Sequence, residues 1–224
     1  MKRITLFAGH YGSGKTNIAV NYAKFIKNQG FNVSVIDLDI VNPYFRTKDS
    51  ELDLKNHGIS IVSSEYANTN LDAPALPKEI YSSIADKTQH LVIDVGGDDV
   101  GAVALGRFAP DITENNDFEM LFVANFYRPL TQTAEEALSV MREIELAGHI
   151  PFTGLVHNSN IGDETTKESL LKKENEIGKL SMLSNLPIVM TTATDEIFNS
   201  LYESNSKMFK LELQDKYYKI EKEI

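Results

Sequence analysis

The sequence predicts an α/β protein, a three-layer α/β/α sandwich with a mostly parallel central sheet. Three observations predict this class: short apolar runs recur along the chain, segments with helical spacing separate them, and a glycine-rich loop follows the first run. Strands that alternate with helices pair in parallel through right-handed crossovers, which place helices on both faces of the sheet. In such folds the functional residues gather at the carboxyl ends of the strands.

Seven runs rich in aliphatic and β-branched residues are predicted to be buried strands. They are residues 4–8, 33–36, 59–62, 91–95, 120–124, 152–157 and 188–190. Helical spacing is clearest in residues 16–28 and 133–147, where apolar side chains recur three and four positions apart. The polar run 161–175 predicts a loop and a charged surface helix. Residues 207–224 mix lysines with acids and predict a docked or frayed helix.

Composition narrows the classes of function. A chain of 224 residues with 42% hydrophobic content fits a single domain, residues 1–224. The formal net charge of −10 would repel a phosphate backbone, so no nucleic-acid partner is expected. The absence of cysteine excludes disulfides, thiolate-held iron–sulfur clusters and cysteine nucleophiles. No long apolar N-terminal segment or basic amphipathic tail is evident, so we expect a cytoplasmic protein without a membrane anchor.

The segment GHYGSGKT, residues 9–16, follows the first predicted strand and precedes the first predicted helix. It fits the phosphate-loop pattern G-x-x-x-x-G-K-[ST] in the structural context that the pattern requires. Gly9, Gly12 and Gly14 allow backbone N–H groups to turn toward phosphates, and the helix adds the positive end of its dipole. The segment therefore predicts a nucleotide site.

The side chains of this loop predict the chemistry of the site. Lys15 is expected to reach the β- and γ-phosphates and to act in catalysis, and the hydroxyl of Thr16 is expected to bind Mg²⁺. Ser13 and Asn17 complete the predicted nucleotide contacts. The alternative is a glycine-rich turn that carries an accidental Lys-Thr pair.

Acidic residues follow two further predicted strands. Asp37 and Asp39 lie in VIDLDI, and Asp94 lies in LVIDVGG. Asp94 and Asp37 are expected to hold Mg²⁺, in part through water molecules bound to the metal. Asp39 lies farther out in the loop and is expected to orient the water that attacks the phosphate. Which of Asp37 and Asp39 binds the metal and which orients the water stays open. The alternative for both is an Asx-turn, and the alternative for Asp94 is ordinary strand capping. The N–H of Gly97 could approach a γ-phosphate and sense its hydrolysis.

These motifs resemble the MinD/ParA branch of P-loop proteins, the CobQ/CobB/MinD/ParA group within the SIMIBI class. The similarity covers nearly the whole chain and includes GLVHNSN at residues 154–160. In the family, an Asn at this strand end contacts adenine, so the resemblance makes Asn158 the base-reading residue, with a turn residue as the alternative. No N-K-x-D or T-K-x-D guanine motif occurs in the sequence, so ATP is expected rather than GTP.

One departure from the family concerns charge. Its dimer-forming members carry a signature lysine directly after the first glycine of the loop, and this chain has His10 there, which is expected to be a solvent-exposed loop filler. We therefore hypothesise that Arg46, Arg107 or Arg128 supplies the charge, or that hydrolysis is slow until a partner binds. Four further histidines show no metal-ligand spacing and are expected at the surface or at strand edges: His57, His90, His149 and His157.

The sequence thus predicts an Mg²⁺-dependent ATPase that acts as a nucleotide switch. ATP would order residues 42–46 and 96–101, and hydrolysis would release them and so regulate a protein partner or a homodimer. The alternative is an ATP-dependent ligase or small-molecule kinase of the dethiobiotin synthetase or cobyrinate amidase type, with an acceptor pocket near residues 70–77 and 127–129. A scaffold that binds nucleotide without turnover is a third reading.

Overall fold

The computed structural model describes residues 1–39, 51–63, 78–97, 99–202 and 207–213. Within these ranges the chain forms eight β-strands and nine α-helices. The strands are β1 Ile4–Ala8, β2 Val33–Leu38, β3 Ser60–Ser63, β4 His90–Val95, β5 Phe118–Ala124, β6 Gly154–His157, β7 Ile188–Ala193 and β8 Met208–Lys210. The helices are α1 Lys15–Asn28, α2 Glu51–Asn56, α3 Lys78–Ala85, α4 Asp99–Gly106, α5 Ala109–Thr113, α6 Ala134–Gly148, α7 Lys167–Leu171, α8 Glu174–Ser184 and α9 Asp195–Leu201.

The strands form one sheet in the order β3-β2-β4-β1-β5-β6-β7-β8, and every neighbouring pair is parallel. Side chains alternate between two cores along each strand. Leu6 of β1 packs in the core that contains Met141 of α6, whereas Phe7 packs in the core that contains Ile18 of α1 and Leu54 of α2. Because each face of the sheet is covered by helices, the predicted three-layer sandwich is confirmed, and its sheet is wholly parallel in the described residues.

The central strand β1 positions the functional edge of the molecule. All five of its residues are buried, and it pairs with β4 on one side and β5 on the other. In the register, Phe7 lies beside Asp94 and Ala8 lies beside Phe122. The loop after β1 therefore leaves the middle of the sheet, with the acidic strand ends of β4 and β2 on one side and β5 to β8 on the other.

Residues 207–213 correct the prediction of a C-terminal helix, because they form β8 and a short extension. Strand β8 pairs with β7, with Thr191 beside Met208. The extension is held by Asn21 of α1, whose amide donates to the carbonyl of Glu212 and accepts from the N–H of Glu212, both at 2.9 Å. The partners of this segment are distant in sequence, so its local charge pattern could not indicate a strand.

The remaining differences from the predicted elements are small. Strands β3 and β6 begin one and two residues later than the runs 59–62 and 152–157 predict. The polar run 161–175 contains a short 3₁₀ helix, Gly162–Glu164, and α7 before α8 begins. Across the described parts of the chain, no helix is long and apolar enough to cross a bilayer. Arg46 and the predicted loops 42–46 and 70–77 lie outside the described residues.

Candidate functional site

The glycine loop joins β1 to α1 at the centre of the carboxyl edge of the sheet. It closes on itself through a hydrogen bond from the N–H of Ser13 to the carbonyl of His10, at 3.1 Å. Gly14 caps α1 with a φ of 93°, a left-handed conformation that glycine adopts without strain. The loop thus presents the N-terminus of a 14-residue helix, with its unsatisfied N–H groups, at the centre of this edge.

Gly97 brings the end of β4 against this loop. A Cβ atom at Gly97 would lie 2.8 Å from Nζ of Lys15 and 2.8 Å from the backbone nitrogen of Tyr11, so only glycine fits there. The Lys15 side chain is 6% exposed, and its ammonium donates to the carbonyl of His10 at 3.1 Å. The lysine, the loop backbone and the segment after β4 therefore meet at one point.

Two carboxylates lie side by side next to this point. Asp37 on β2 and Asp94 on β4 are register partners, and they are 4% and 1% exposed. Val35 and Val92 precede these acids by two positions and pack in the core of α1, so the strand alternation turns both carboxylates toward the face that α1 covers. Oδ1 of Asp37 accepts a hydrogen bond from the N–H of Asp39 at 2.9 Å, which fixes the start of the loop after β2.

The three predicted metal ligands share one face of the sheet, since Thr16 lies in the first turn of α1. Carboxylate and hydroxyl oxygens suit Mg²⁺, which proteins commonly hold with one or two carboxylates together with phosphate oxygens. Within the described residues, no group of three or more His, Asp or Glu side chains is arranged to hold a metal by itself. Thr16, Asp37 and Asp94 therefore fit a magnesium ion that shares its coordination with a phosphate.

Asn158, directly after β6, connects the loop to the strands on the other side. Its side chain is 3% exposed; Nδ2 donates to the carbonyl of Ser13 at 2.6 Å, and Oδ1 accepts from the hydroxyl of Thr192 at 2.5 Å. A side chain at Gly14 would overlap the Asn158 amide. The sequence prediction brought Asn158 to the site but missed Thr192 on β7, because only the pairing of β6 with β7 shows that these two residues meet.

A small cleft, about 20 Å³ in volume, lies beyond Asn158, where β6, β7 and β8 end. Its walls are formed by polar residues after β6, by the end of β7 and the start of α9, and by the extension of β8. The residues that line it include Asn158, Ser159, Asn160, Thr192, Thr194, Ile197, Leu211 and Leu213. In the described part of the chain, no charged side chain lines this cleft, so it offers neutral hydrogen-bonding groups beside an apolar wall.

His157, the last residue of β6, corrects the prediction of a surface or strand-edge histidine. Strands flank β6 on both sides, so the side chain is interior and 1% exposed, with its ring 6.3 Å from that of Phe126. Nε2 has no hydrogen-bond partner, and burial lowers the pKa of the imidazole to about 4. A neutral imidazole therefore lies beside Phe126, which packs in the core that contains Met141 of α6.

Comparison with solved structures identifies a shared fold. FtsY of Thermotoga maritima, a cell division protein, superposes with a TM-score of 0.57 and 17% identity over 86% of this chain and 62% of that one. FtsY of Mycoplasma mycoides gives 0.57 and 18% over 85% and 59%. The signal recognition particle receptor FtsY of Elizabethkingia anophelis, solved in complex with GDP, gives 0.55 and 16% over 86% and 57%. The chain thus spans about three fifths of these proteins, and at such identities the likeness shows the fold alone.

The sequence itself places the chain in a family. No curated protein matches it. The model of the CobQ/CobB/MinD/ParA nucleotide binding domain matches residues 4–169, a range that contains the glycine loop, both acidic strand ends and Asn158. This chain therefore belongs to the CobQ/CobB/MinD/ParA family of nucleotide-binding domains.

Proposed function

We propose that this protein is an Mg²⁺-dependent ATPase that acts as a nucleotide switch. The observation that carries the proposal is the contact of Gly97 with Lys15 and Tyr11. A terminal phosphate held by the lysine would lie where the segment after β4 meets the loop, so its presence or loss would change that contact. A nucleotide can drive a conformational change when its terminal phosphate makes different contacts in the two conformations.

The proposed metal ligands are Thr16, Asp37 and Asp94. A bound Mg²⁺ would offset the negative charge of the phosphates. We assign the orientation of the attacking water to Asp39, because its N–H is tied to Asp37 while its side chain remains half-buried at the loop. In this proposal Asp37 holds the metal.

The preference for ATP rests on the absence of an N-K-x-D or T-K-x-D guanine motif from the sequence, and the small cleft beside Asn158 adds neutral hydrogen-bonding groups. Guanine presents two N–H donors on one edge, which a carboxylate accepts well, whereas adenine presents one donor and one acceptor that amides and hydroxyls can match. The described lining of the cleft has no carboxylate. One structural neighbour was solved with GDP, so GTP is the necessary competitor in any test. Asn158 would serve this site by holding Ser13, and its direct contact with adenine would require that amide to turn.

The proposal extends to the whole chain as a single cytoplasmic domain, residues 1–224, that acts on a partner or as a homodimer. Gly9, Gly12, Ser13, Gly14 and Asn17 belong to the proposed nucleotide contacts. A switch of this kind would change its oligomeric state or its partner binding between the ADP and ATP forms.

The test measures Mg²⁺-dependent phosphate release from ATP and GTP, together with nucleotide affinity by titration calorimetry. We expect the wild type to prefer ATP, Lys15→Ala to lose binding, and Asp39→Asn to keep binding while losing most turnover. Lys172→Ala, which removes an exposed lysine on the polar run before α8, is the matched control and should behave as wild type.

If the wild type hydrolyses GTP as fast as ATP, the proposed preference for adenine is contradicted. If Asp39→Asn turns over ATP at the wild-type rate, Asp39 does not orient the attacking water. ATP binding without phosphate release, followed by release when a carboxylate or hydroxyl acceptor is added, would favour the ligase or kinase reading.

A further inference from the structure

An arginine lies over the phosphate loop, on the turn that follows β5. A Cβ atom built on Gly12 would lie 3.4 Å from Nε and 3.7 Å from Cζ of Arg128. Gly12 has a φ of 73°, and it has no side chain to separate the guanidinium from the loop backbone. The cationic group of Arg128 therefore rests directly on the loop.

The turn that carries Arg128 is held by the buried side chain of Asn125, which is 1% exposed. Oδ1 of Asn125 accepts from the N–H of Tyr127 at 3.1 Å, and its Nδ2 donates to the carbonyl of Asn160 at 3.0 Å. The carbonyl of Asn125 accepts from the N–H of Arg128 at 3.1 Å and from the hydroxyl of Thr131 at 2.9 Å. The backbone on both sides of Arg128 is thus fixed, and with it the direction from which the side chain reaches the loop.

The charge of Arg128 is not used elsewhere in the described structure. No salt bridge among the described residues involves it, although the chain carries 32 acidic residues against 22 lysines and arginines. Guanidinium groups remain protonated at every physiological pH and match phosphate oxygens with a planar fork of donors. An exposed arginine held beside a phosphate loop is therefore available to an anion.

Arg107, the other described candidate, is in a different place. It directly follows α4, and a Cβ on the preceding Gly106 would lie 3.0 Å from the carbonyl of Ala147, near the end of α6. Helix α6 starts after the carboxyl end of β5 and ends before the start of β6, so Arg107 lies toward the amino edge of the sheet. Only Arg128 of these two lies at the loop.

We propose that Arg128 binds the terminal phosphate of the nucleotide in cis and supplies the charge that the signature lysine supplies in the dimer-forming members of the family. This inference rests on the proposed ATPase function. In that reaction the water oxygen bonds to the γ-phosphorus, the bond to the bridging oxygen breaks with its electron pair going to ADP, and the water proton leaves through Asp39. Arg128 offsets the charge that gathers on the phosphoryl oxygens during this step.

The test compares Arg128→Gln, Arg128→Lys and Arg107→Gln in the full chain. For each variant, ATP turnover is measured together with the affinities for ADP and for a non-hydrolysable ATP analogue. Arg128→Gln should lose at least tenfold in turnover and most of the preference for the triphosphate, with ADP affinity within about threefold of wild type. Arg128→Lys should recover part of both. Arg107→Gln, which removes an equally exposed arginine, should match wild type.

The proposal is overturned if Arg128→Gln keeps wild-type turnover and triphosphate preference. It is also overturned if ADP and the ATP analogue weaken equally while the melting temperature falls, because that pattern describes a structural role. If the wild type binds nucleotide without hydrolysing it, the ATPase proposal fails, whereas a lost triphosphate preference in Arg128→Gln still supports the arginine contact.

Discussion

The two sides of the candidate nucleotide site differ in how tightly their residues are packed and in which groups line them. On the phosphate side, the loop after β1 meets Gly97 so closely that a Cβ at Gly97 would lie 2.8 Å from the backbone nitrogen of Tyr11 and from Nζ of Lys15. On the base side, strands β6, β7 and β8 supply side chains such as Asn158, Thr192 and Leu211. The phosphate side should therefore be intolerant of a side chain at Gly97, whereas the base side should depend on individual hydrogen bonds and on the protonation of buried groups.

The largest effect is expected from Gly97→Ala on the phosphate side. The new methyl group would meet the backbone of Tyr11 and the ammonium of Lys15, so the loop or the segment after β4 must move. We expect ATP turnover to fall by roughly a hundredfold to a thousandfold, because a displacement of about 1 Å at a phosphate site has effects of this size. Steady-state phosphate release and circular dichroism would separate lost chemistry from lost folding.

Gly178→Ala is the matched control, because a Cβ there has nothing within 4 Å and the position lies within α8. It should keep full activity and gain up to about 1 kcal/mol of stability from helix propensity. Wild-type turnover by Gly97→Ala would show that the described contact is not the one that matters in catalysis.

The second effect concerns the pH dependence of the base side. The folded state lowers the pKa of His157 to about 4 from an ordinary value of 6.5, so between these values the unfolded chain binds the extra proton. Stability is therefore fully present above pH 6.5 and falls as the pH drops toward 4, by an amount on the order of 3 kcal/mol.

Urea unfolding at a series of pH values measures this dependence. His157→Leu should remove that part of the loss, whereas His149→Asn should retain it, because His149 is exposed and asparagine tolerates its φ of 54°. An unchanged acid dependence in His157→Leu would mean that other groups drive acid unfolding.

The smallest effect is expected from Thr192→Val, which removes the hydroxyl that donates to Oδ1 of Asn158. A buried amide oxygen left without its donor costs about 1–3 kcal/mol, and the freed amide would hold Ser13 less firmly. We expect a lower melting temperature and weaker ATP binding. Thr191→Val is the control, since Thr191 is also buried, at 8% exposed against 4% for Thr192, and makes no side-chain hydrogen bond among the described contacts. Equal losses in both variants would reject the role of Thr192.

This contrast also explains how much the sequence could predict. The loop from Gly9 to Thr16 and the acids Asp37 and Asp94 were predicted because each constraint is local: a glycine pattern, or an acid at the end of an apolar run. Asn158 was found by resemblance to a family, whereas its partner Thr192 was missed because their contact exists only across paired strands.

Long-range pairing accounts for the other errors. Strand β8 lies in a segment with mixed charges and becomes a strand only against β7. His157 is interior because β6 has neighbours on both sides, which its own sequence does not show. Arg128 is one of three arginines that could supply the missing charge, and only the turn built around Asn125 distinguishes it from Arg107.

The order of strands has a consequence for how the protein is made. Strand β1 and its loop leave the ribosome before β4 and β5, with which β1 pairs, and before residues 211 and 213, which help to line the cleft. Closing these long loops is slow, and a nucleotide stabilises only a chain in which its contacts exist. The phosphate loop is therefore synthesised before the strands that complete its site, and it becomes functional only when those strands are in place.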